Sequence, residues 1–202
     1  MNSKFIFAKK IGMTQSVEPD GNVVPLTLLE TVDTRVLSVS TDTSTVKVGV
    51  ESVESKKLSK PMLGQFNSLN SPCYKFIKSF NVSNINVFVE GKDISLEEFF
   101  TDNEKVSLRA LSKGKGFAGT VKRHNFRIGR KSHGSKSKRA PGSIGGGTDP
   151  GRVFKGQKMP GRLGNVNVTT IGYIYKIDYD KGLIQVKGSV PGFNSTLVLV
   201  SN

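Results

Sequence analysis

Lysines and arginines separated by glycines dominate the residues of this sequence that could do chemistry. Between Arg109 and Arg162 there are fifteen basic residues and one acid, Asp149, whereas the rest of the chain holds fifteen of each sign. The whole formal charge of +14 therefore lies in this basic segment. Fifteen like charges repel one another unless a polyanion neutralises them, so the segment is predicted to bind nucleic acid or an anionic membrane.

Glycine decides between these two partners. Thirteen of the 22 glycines fall between Gly114 and Gly164, and most of this stretch has neither helical nor strand periodicity. Membrane binding needs an amphipathic basic helix with a bulky apolar face, which so much glycine does not allow. Glycine also lets a backbone approach phosphates closely, and lysine and arginine release counterions from them. We therefore expect a segment that is poorly ordered alone and becomes ordered on a phosphate-rich surface.

Three aromatic residues, Phe117, Phe126 and Phe154, are interleaved with the cations. Each ring could stack on an unpaired base, a contact worth about 1–3 kcal/mol. The alternative is that the rings pack on the rim of the folded domain or against one another. The sequence leaves both interpretations open.

Other kinds of site find little support. His124 and His133 have no carboxylate or activated nucleophile nearby in sequence, which disfavours acid–base catalysis. The glycines at 145–147 have neither the Walker nor the dinucleotide-binding spacing, and Lys158 is not followed by Ser or Thr. Cys73 is the single cysteine, and with two histidines it cannot complete the usual four-ligand zinc site. The sequence predicts a binding protein and not an enzyme.

The flanks of the basic segment must position it, and they are predicted to be strands. Short β-branched or alternating runs are separated by turn residues such as Asp20-Gly21-Asn22 and Asp180-Lys181-Gly182. Ser95 is expected to begin a short helix whose Phe99-Phe100 pair packs inward. Residues 52–73 are expected to form a surface loop or small insertion. Several short strands of this kind indicate an antiparallel barrel or sandwich. The predicted strands are 1–10, 23–30, 35–40, 45–51, 74–80, 86–90, 104–111, 166–178, 183–187 and 195–200.

Membrane and secretion signals are not seen in the sequence. No stretch approaches the roughly 18 apolar residues of a membrane span, and Phe5 to Ala8 is too short for a signal-peptide core. One cysteine is typical of a reducing compartment. We therefore expect a cytoplasmic protein.

Several motifs resemble one known family. Ser112-Lys113-Gly114-Lys115-Gly116-Phe117-Ala118-Gly119-Thr120-Val121-Lys122-Arg123 is similar to the centre of the universal L-three family of large-ribosomal-subunit proteins, in its bacterial form. Matching motifs lie at both ends of the chain and in the middle, and residues 52–103 match least well. These further motifs are Lys10-Ile11-Gly12-Met13-Thr14, Pro141-Gly142-Ser143-Ile144-Gly145, Val153 to Gly161, and Val186 to Gly192.

The resemblance implies a mainly β fold, a six-stranded translation-protein-type β-barrel with a small α/β insertion and a long basic extended loop. The barrel domain would comprise residues 1–111 and 164–202, with the insertion at about 52–103. Residues 112–163 would form the extended, glycine-rich rRNA-binding loop.

The resemblance also implies a function. The protein would be a structural constituent of the large ribosomal subunit in a bacterial or organellar ribosome, with no catalytic role. Its partners would be large-subunit rRNA of the 23S type and neighbouring large-subunit proteins, with no membrane and no small-molecule substrate. No cofactor is implied beyond structural Mg²⁺ held by the rRNA. The loop would nucleate early subunit assembly and support the peptidyl-transferase region, with residues 143–152 closest to it.

The residues expected to contact RNA are the cations of the loop and the aromatic, histidine and serine side chains among them. They are Lys113, Lys115, Phe117, Lys122, Arg123, His124, Arg127, Arg130, Lys131, His133, Lys136, Lys138, Arg139, Ser143, Arg152, Lys155, Lys158 and Arg162.

Two departures from the family pattern stand out. His124 occupies the position of the family's usual tryptophan, and the chain has no tryptophan at all. Many bacterial members carry a methylated glutamine in the loop that matches Gly145 to Pro150, and no glutamine occurs between Ser143 and Arg152 here. Any base contact of that ring, and that modification, are expected to differ in this chain.

Overall fold

The structure is a computed structural model that describes residues 4–82 and 84–202. The first three positions of the strand predicted at 1–10 lie outside the described residues. Strands occupy most of the predicted positions, and the prediction of a mainly β protein is confirmed. The strands are β1 (Phe5–Val17), β2 (Val23–Thr31), β3 (Thr34–Ser40), β4 (Thr45–Ser52), β5 (Tyr74–Asn81), β6 (Lys105–Leu111), β7 (Phe117–Ala118), β8 (Gly161–Arg162), β9 (Asn167–Asp178), β10 (Leu183–Lys187) and β11 (Leu197–Ser201).

Six antiparallel strands close into a barrel in the order β1-β11-β6-β9-β10-β2. The ring is closed by the two ends of the chain, because Phe5 of β1 lies opposite Ser201 of β11. β1 is long enough to pair with both of its neighbours, and a bulge between Lys10 and Gly12 shifts its register against β2. Such bulges bend a strand and increase its twist, which helps a small sheet to close.

The barrel interior follows the two-residue period of its strands. On β6 the inward side chains Val106, Leu108 and Ala110 are buried, whereas Lys105 and Arg109 on the opposite face are exposed. Burying one such aliphatic side chain contributes about 1.5–3 kcal/mol. The core fixes the register of β6, because a shift by one residue would bury the two cations.

A second sheet, in the order β3-β4-β5, shares the hydrophobic core of the barrel. The ring centroid of Phe80 on β5 lies 4.5 Å from that of Phe5 in the barrel strand β1. The small sheet begins at Thr34, ahead of the insertion expected at about 52–103.

The segment between β4 and β5 is partly helical and not a plain loop. Helix α1 (Lys60–Ser68) carries Pro61 in its first turn, where a missing N–H costs nothing because that group has no partner within the helix. Its Phe66 is fully buried and lies 6.2 Å from the ring of Tyr74. Burial of one aromatic ring thus outweighs the poor helix propensity of Gly64 and Asn67.

The strand predicted at 86–90 is wrong. A single 3₁₀ turn spans Ile85–Val87, and residues 86–90 form no strand. Only Phe88 is buried here, while Val87 and Val89 are exposed. Alternating β-branched residues favour a strand only where a neighbouring strand can pair with them, and this segment packs one phenylalanine into the core instead.

Helix α2 (Leu96–Phe99) begins after Ser95 and buries Phe99, with Phe100 buried just beyond it. The position of this short helix agrees with the sequence prediction. The Ser95 side chain makes no capping hydrogen bond, so burial of the two phenylalanines and not the cap holds this turn.

The chain divides into two compact units. The barrel unit comprises Met1–Leu111 and Asn167–Asn202, and the basic loop comprises Ser112–Val166. Within the described ranges, no helix is long and apolar enough to cross a membrane.

Candidate nucleic-acid interface

The two ends of the basic loop are joined by backbone hydrogen bonds. The Ser112 N–H donates to the Val166 carbonyl at 2.9 Å, and the Ser112 hydroxyl donates to the same oxygen at 2.9 Å. Further along, the Lys115 N–H donates to the Leu163 carbonyl and the Leu163 N–H to the Gly116 carbonyl. The short strands β7 and β8 then pair, with Phe117 opposite Arg162. The loop therefore starts and returns as a narrow antiparallel ribbon.

A short helix, α3 (Thr120–His124), follows the ribbon and is tied to the returning chain. Arg123 Nη1 donates to the Met159 carbonyl at 2.7 Å, and His124 Nε2 lies 3.0 Å from the same oxygen. Asn125 ends the helix in the left-handed region at φ 57°, a conformation that asparagine tolerates better than most residues. Arg123 and His124 thus clamp one carbonyl, and both side chains are half-buried as a result.

Beyond this clamp the basic loop has little core. Ala118 and Thr120 are its only buried residues, and every residue from Pro141 to Lys158 is exposed. Local backbone bonds shape this distal part: the Gly129 N–H donates to the Lys138 carbonyl, and the Gly151 N–H to the Gly147 carbonyl. Few buried apolar groups are available to offset the ordering entropy of such a chain, as the glycine content indicates.

The cations of the loop are presented to solvent without counter-charges. Ser112–Val166 contains fourteen lysines and arginines and one acid, Asp149. None of the fourteen forms an ion pair with any residue that the structure describes. Sixteen of the eighteen residues predicted to contact RNA are exposed, the exceptions being Arg123 and His124 of the clamp. A dense positive field that nothing within the loop neutralises is what an anionic partner needs.

The three phenylalanines have different surroundings. Phe117 is 75% exposed and Phe154 is 57% exposed, so these rings are not packed into a core. The Arg152 guanidinium lies 5.7 Å from the centroid of the Phe154 ring. Phe126 is half-buried with its ring 6.1 Å from that of His124. Phe126 therefore packs within the protein, whereas the exposed rings of Phe117 and Phe154 are available to stack on a partner.

Sequence reasoning did not find the Met159 carbonyl as the acceptor on which α3 is anchored, because a backbone oxygen has no sequence signature. It also did not identify Ser112, whose hydroxyl donates to Val166 and accepts from its N–H at 3.3 Å. The nearest sequence signal is Asn125 directly after a basic triplet, a pattern typical of a helix end.

Comparison with known proteins identifies the family. The sequence pattern of the family described as Ribosomal protein L3 matches residues 32–185. The chain is 39% identical over 202 residues to "Large ribosomal subunit protein uL3" of Fervidobacterium nodosum, covering 98% of this chain and 97% of that protein. It is 41% identical over 204 residues to the protein of the same name from Pelobacter propionicus, with 98% and 97% covered.

The chain belongs to the ribosomal protein L3 family. It is also 40% identical over 200 residues to "Large ribosomal subunit protein uL3c" of Gracilaria tenuistipitata var. liui, covering 96% of this chain and 97% of that protein. Bacterial and chloroplast relatives therefore both match, and the recognition made from the motifs is confirmed. The family is a structural, non-enzymatic component of the ribosome.

Side chains of the types that can bind a metal ion are scattered in the described part of the chain. Residues 4–82 and 84–202 contain no group of three or more His, Cys, Asp or Glu side chains arranged to hold an ion. The two histidines of the basic loop, His124 and His133, have no carboxylate hydrogen-bond partner among those residues.

Proposed function

We propose that the basic loop binds large-subunit rRNA of the 23S type and so anchors the protein in the large ribosomal subunit. The observation that carries this proposal is the set of fourteen cations that form no ion pair with a described residue, on a loop that buries only two residues. Phosphates can supply the missing counter-charges, and exposed rings such as Phe117 can stack on unpaired bases. Because the chain belongs to a ribosomal protein family, rRNA is the polyanion that we expect it to bind.

The family resemblance extends the proposal to fold and assembly. The closed six-stranded ring is a translation-protein-type barrel, the β3-β4-β5 sheet with its helices is the α/β insertion, and the basic loop is the extension. The extension joins rRNA early, nucleates subunit assembly and contacts neighbouring large-subunit proteins. The exposed stretch from Ser143 to Arg152 lies nearest the peptidyl-transferase region in the assembled subunit, where it supports the surrounding rRNA. Any Mg²⁺ at this interface is held by the rRNA.

The basic loop can be deleted without removing any residue of the barrel strands. Leu111 and Asn167 are direct cross-strand partners of β6 and β9, so a two-residue Asn-Gly turn can join them in place of residues 112–166. The remaining chain has sixteen basic and fifteen acidic residues and is close to neutral.

The test is the salt dependence of binding to a large-subunit rRNA transcript. If the loop supplies about ten phosphate contacts, the log–log slope for the full chain should be roughly −7 to −9. The loop-deleted chain should lose most of this slope, and urea denaturation should first establish that it still unfolds cooperatively. Undiminished affinity after deletion, or a shallow slope for the full chain, would contradict the proposal. Equal affinity for duplex DNA would show a general polyanion binder instead of an rRNA-specific one.

A further inference from the structure

A groove on the barrel unit lies outside the basic loop. It has a volume of about 330 Å³ and is bounded on one side by the edge strand β5 and on the other by the barrel strands β6 and β11. Pockets that take small organic groups typically have volumes of about 300–1,000 Å³. The groove is therefore large enough for one small group and too small for a folded element.

The floor of the groove is apolar. Phe80, Leu197 and Leu199 line it, and all three are partly buried with one side packed on the hydrophobic core. Because these side chains pack on the core and are only partly buried, they also contribute apolar surface to the groove. Such a surface suits a planar ring that can be desolvated on one face.

The walls of the groove are positively charged. Lys78 and Arg109 line it, and no acidic residue does. Neither cation forms an ion pair with any residue in the described ranges, although the barrel unit contains seven ion pairs. Arg109 is the cross-strand partner of Leu199, so charge and apolar floor are adjacent. In a nearly neutral unit this groove is a local site for an anion that also carries an apolar face.

Polar groups complete the lining. Asn167 and Ser79 also line the groove, and a side-chain amide and a hydroxyl can each donate and accept a hydrogen bond. Asn167 and Leu111, which also lines the groove, are the residues through which the barrel unit is covalently joined to the basic loop. The groove is therefore continuous along the chain with the segment proposed to bind rRNA.

We propose that this groove holds one unpaired rRNA nucleotide, with its base on the Phe80, Leu197 and Leu199 floor and its flanking phosphates at Lys78 and Arg109. This rests on the proposed function, since it takes the same rRNA as the partner. Two cations, an apolar floor and a donor–acceptor pair match the phosphate, ring face and ring edge of a nucleotide. An acidic peptide would use the cations but carries no aromatic ring face to cover Phe80, Leu197 and Leu199.

The test uses the full chain and the rRNA transcript to which it binds. The double variant Lys78→Gln, Arg109→Gln removes both cations of the groove. Its matched control is Lys47→Gln, Lys105→Gln, which removes two exposed cations of the same unit that do not line the groove. A second variant, Ser79→Trp, fills the groove from the exposed edge strand and keeps both charges. Near-ultraviolet circular dichroism and urea unfolding report whether each variant is folded.

The groove variant should bind about tenfold more weakly or worse, with a salt slope smaller by about 1.4–1.8 than that of the control. Ser79→Trp should weaken binding by a similar factor. If the groove variant and its control bind alike, or if Ser79→Trp binds as wild type does, the nucleotide site is overturned. The proposed function still stands in that case, provided that wild-type binding has a steep salt dependence. Weak or salt-insensitive binding by wild type would overturn both. Binding of an oligoglutamate peptide that Lys78→Gln, Arg109→Gln abolishes, with rRNA affinity unchanged, would assign the groove to a protein partner instead.

Discussion

Among the residues that the structure describes, seven ion pairs join lysines and arginines to carboxylates in the barrel unit, whereas none of the fourteen cations of the basic loop forms an ion pair. The same contrast holds for burial. The barrel unit encloses a continuous core that runs from Phe5 to Val200, while the loop buries Ala118 and Thr120 alone. One chain thus contains a unit held together by its own core and a unit with almost no core and many uncompensated cations.

This difference separates two kinds of mutational effect. Changes in the core of the barrel unit should act on the free energy of unfolding, because that is where apolar area is buried. Changes in the loop should act on affinity for rRNA and on its salt dependence, because exposed cations contribute little to the folded state.

Neutralising the densest cluster of the loop should have the largest effect on binding. Changing Arg130, Lys131, Lys136, Lys138 and Arg139 together to glutamine should reduce the log–log salt slope for rRNA binding by about 3.5–4.5. The free energy of unfolding should change by less than about 0.5 kcal/mol per position. The measurements are filter binding across a salt series and urea denaturation.

The matched control removes the same charge from the barrel unit. Five of its exposed lysines form no ion pair with a described residue and do not line the groove: Lys47, Lys56, Lys57, Lys60 and Lys105. Their change to glutamine should leave most of the slope intact. An equal loss in both variants would mean that net charge, and not the loop, governs binding.

Truncating a core side chain of the barrel unit should lower the free energy of unfolding, whereas truncating an exposed ring of the loop should weaken rRNA binding. Phe5 is fully buried, with ring centroids 4.5 Å from Phe80 and 5.3 Å from Phe88. Phe5→Ala should therefore lower the free energy of unfolding by about 3–5 kcal/mol, measured by denaturant titration. Phe154→Ala in the loop, where the ring is exposed, should change it by less than about 0.5 kcal/mol and instead weaken rRNA binding. Similar destabilisation by both would contradict the division.

Two glycines test the contrast at the level of one methyl group. A Cβ at Gly172 would lie 2.9 Å from Val186 Cγ1 and 3.1 Å from Leu108 Cδ1, inside the barrel. Gly172→Ala should therefore cost about 1–3 kcal/mol of unfolding free energy through overpacking.

Gly164, at the base of the basic loop, has φ +76°, and its Cβ would overlap the Lys113 carbonyl. Gly164→Ala should leave the global unfolding transition unchanged, because this ribbon contributes little to the core. It should speed hydrogen exchange at the Lys115 and Leu163 amides, whose bonds close the ribbon. Loss of global stability equal to that of Gly172→Ala would show that the ribbon is part of the cooperative core.

The smallest effect concerns an ion network of the barrel unit. Glu51 lies 2.8 Å from Lys9 Nζ and 3.2 Å from Lys75 Nζ. Burial acts to raise the pKa of Glu51, but the hydrogen bonds and charges of Lys9 and Lys75 outweigh it and lower the pKa below its usual 4.5. A depressed folded-state pKa stabilises the folded protein above the unfolded-state pKa, and this contribution is lost as the pH falls through the lowered value.

Glu51→Gln should therefore lower the free energy of unfolding by about 0.2–1 kcal/mol at pH 7, as expected for a partly exposed pair. The difference from wild type should shrink as the pH falls below 4.5. The exposed Glu54→Gln serves as the control and should have no measurable effect at pH 7. A difference for Glu51→Gln that grows on acidification would reverse the assigned sign.

Much of the barrel could be predicted from the sequence because its strands follow local rules. The strand at 183–187 has the predicted bounds, since Gly182 makes the turn and burial alternates along it. The ring closure could not be predicted in this way. The pairing of Phe5 with Ser201 joins the two ends of the chain, and no local pattern encodes such a partner.

The loop shows the opposite balance. Its charge, its glycine content and its lack of periodicity were visible in the sequence, and these properties carry the proposal of rRNA binding. The clamp of Arg123 and His124 on Met159 was not visible, because it joins residues 35 and 36 positions apart through a backbone oxygen. Sequence patterns also favoured a strand at 86–90, where the burial of Phe88 decides the conformation instead.

The most direct test of the contrast is hydrogen exchange of the full chain, measured by mass spectrometry with and without the rRNA transcript. In the free protein the amides of the barrel strands should be protected and those from Gly129 to Lys158 should exchange rapidly, because few buried groups cover them. Adding rRNA should protect the loop and leave the barrel core nearly unchanged. Protection of the loop in the free protein, or no gain on adding rRNA, would contradict the division into a self-sufficient barrel and a partner-dependent loop.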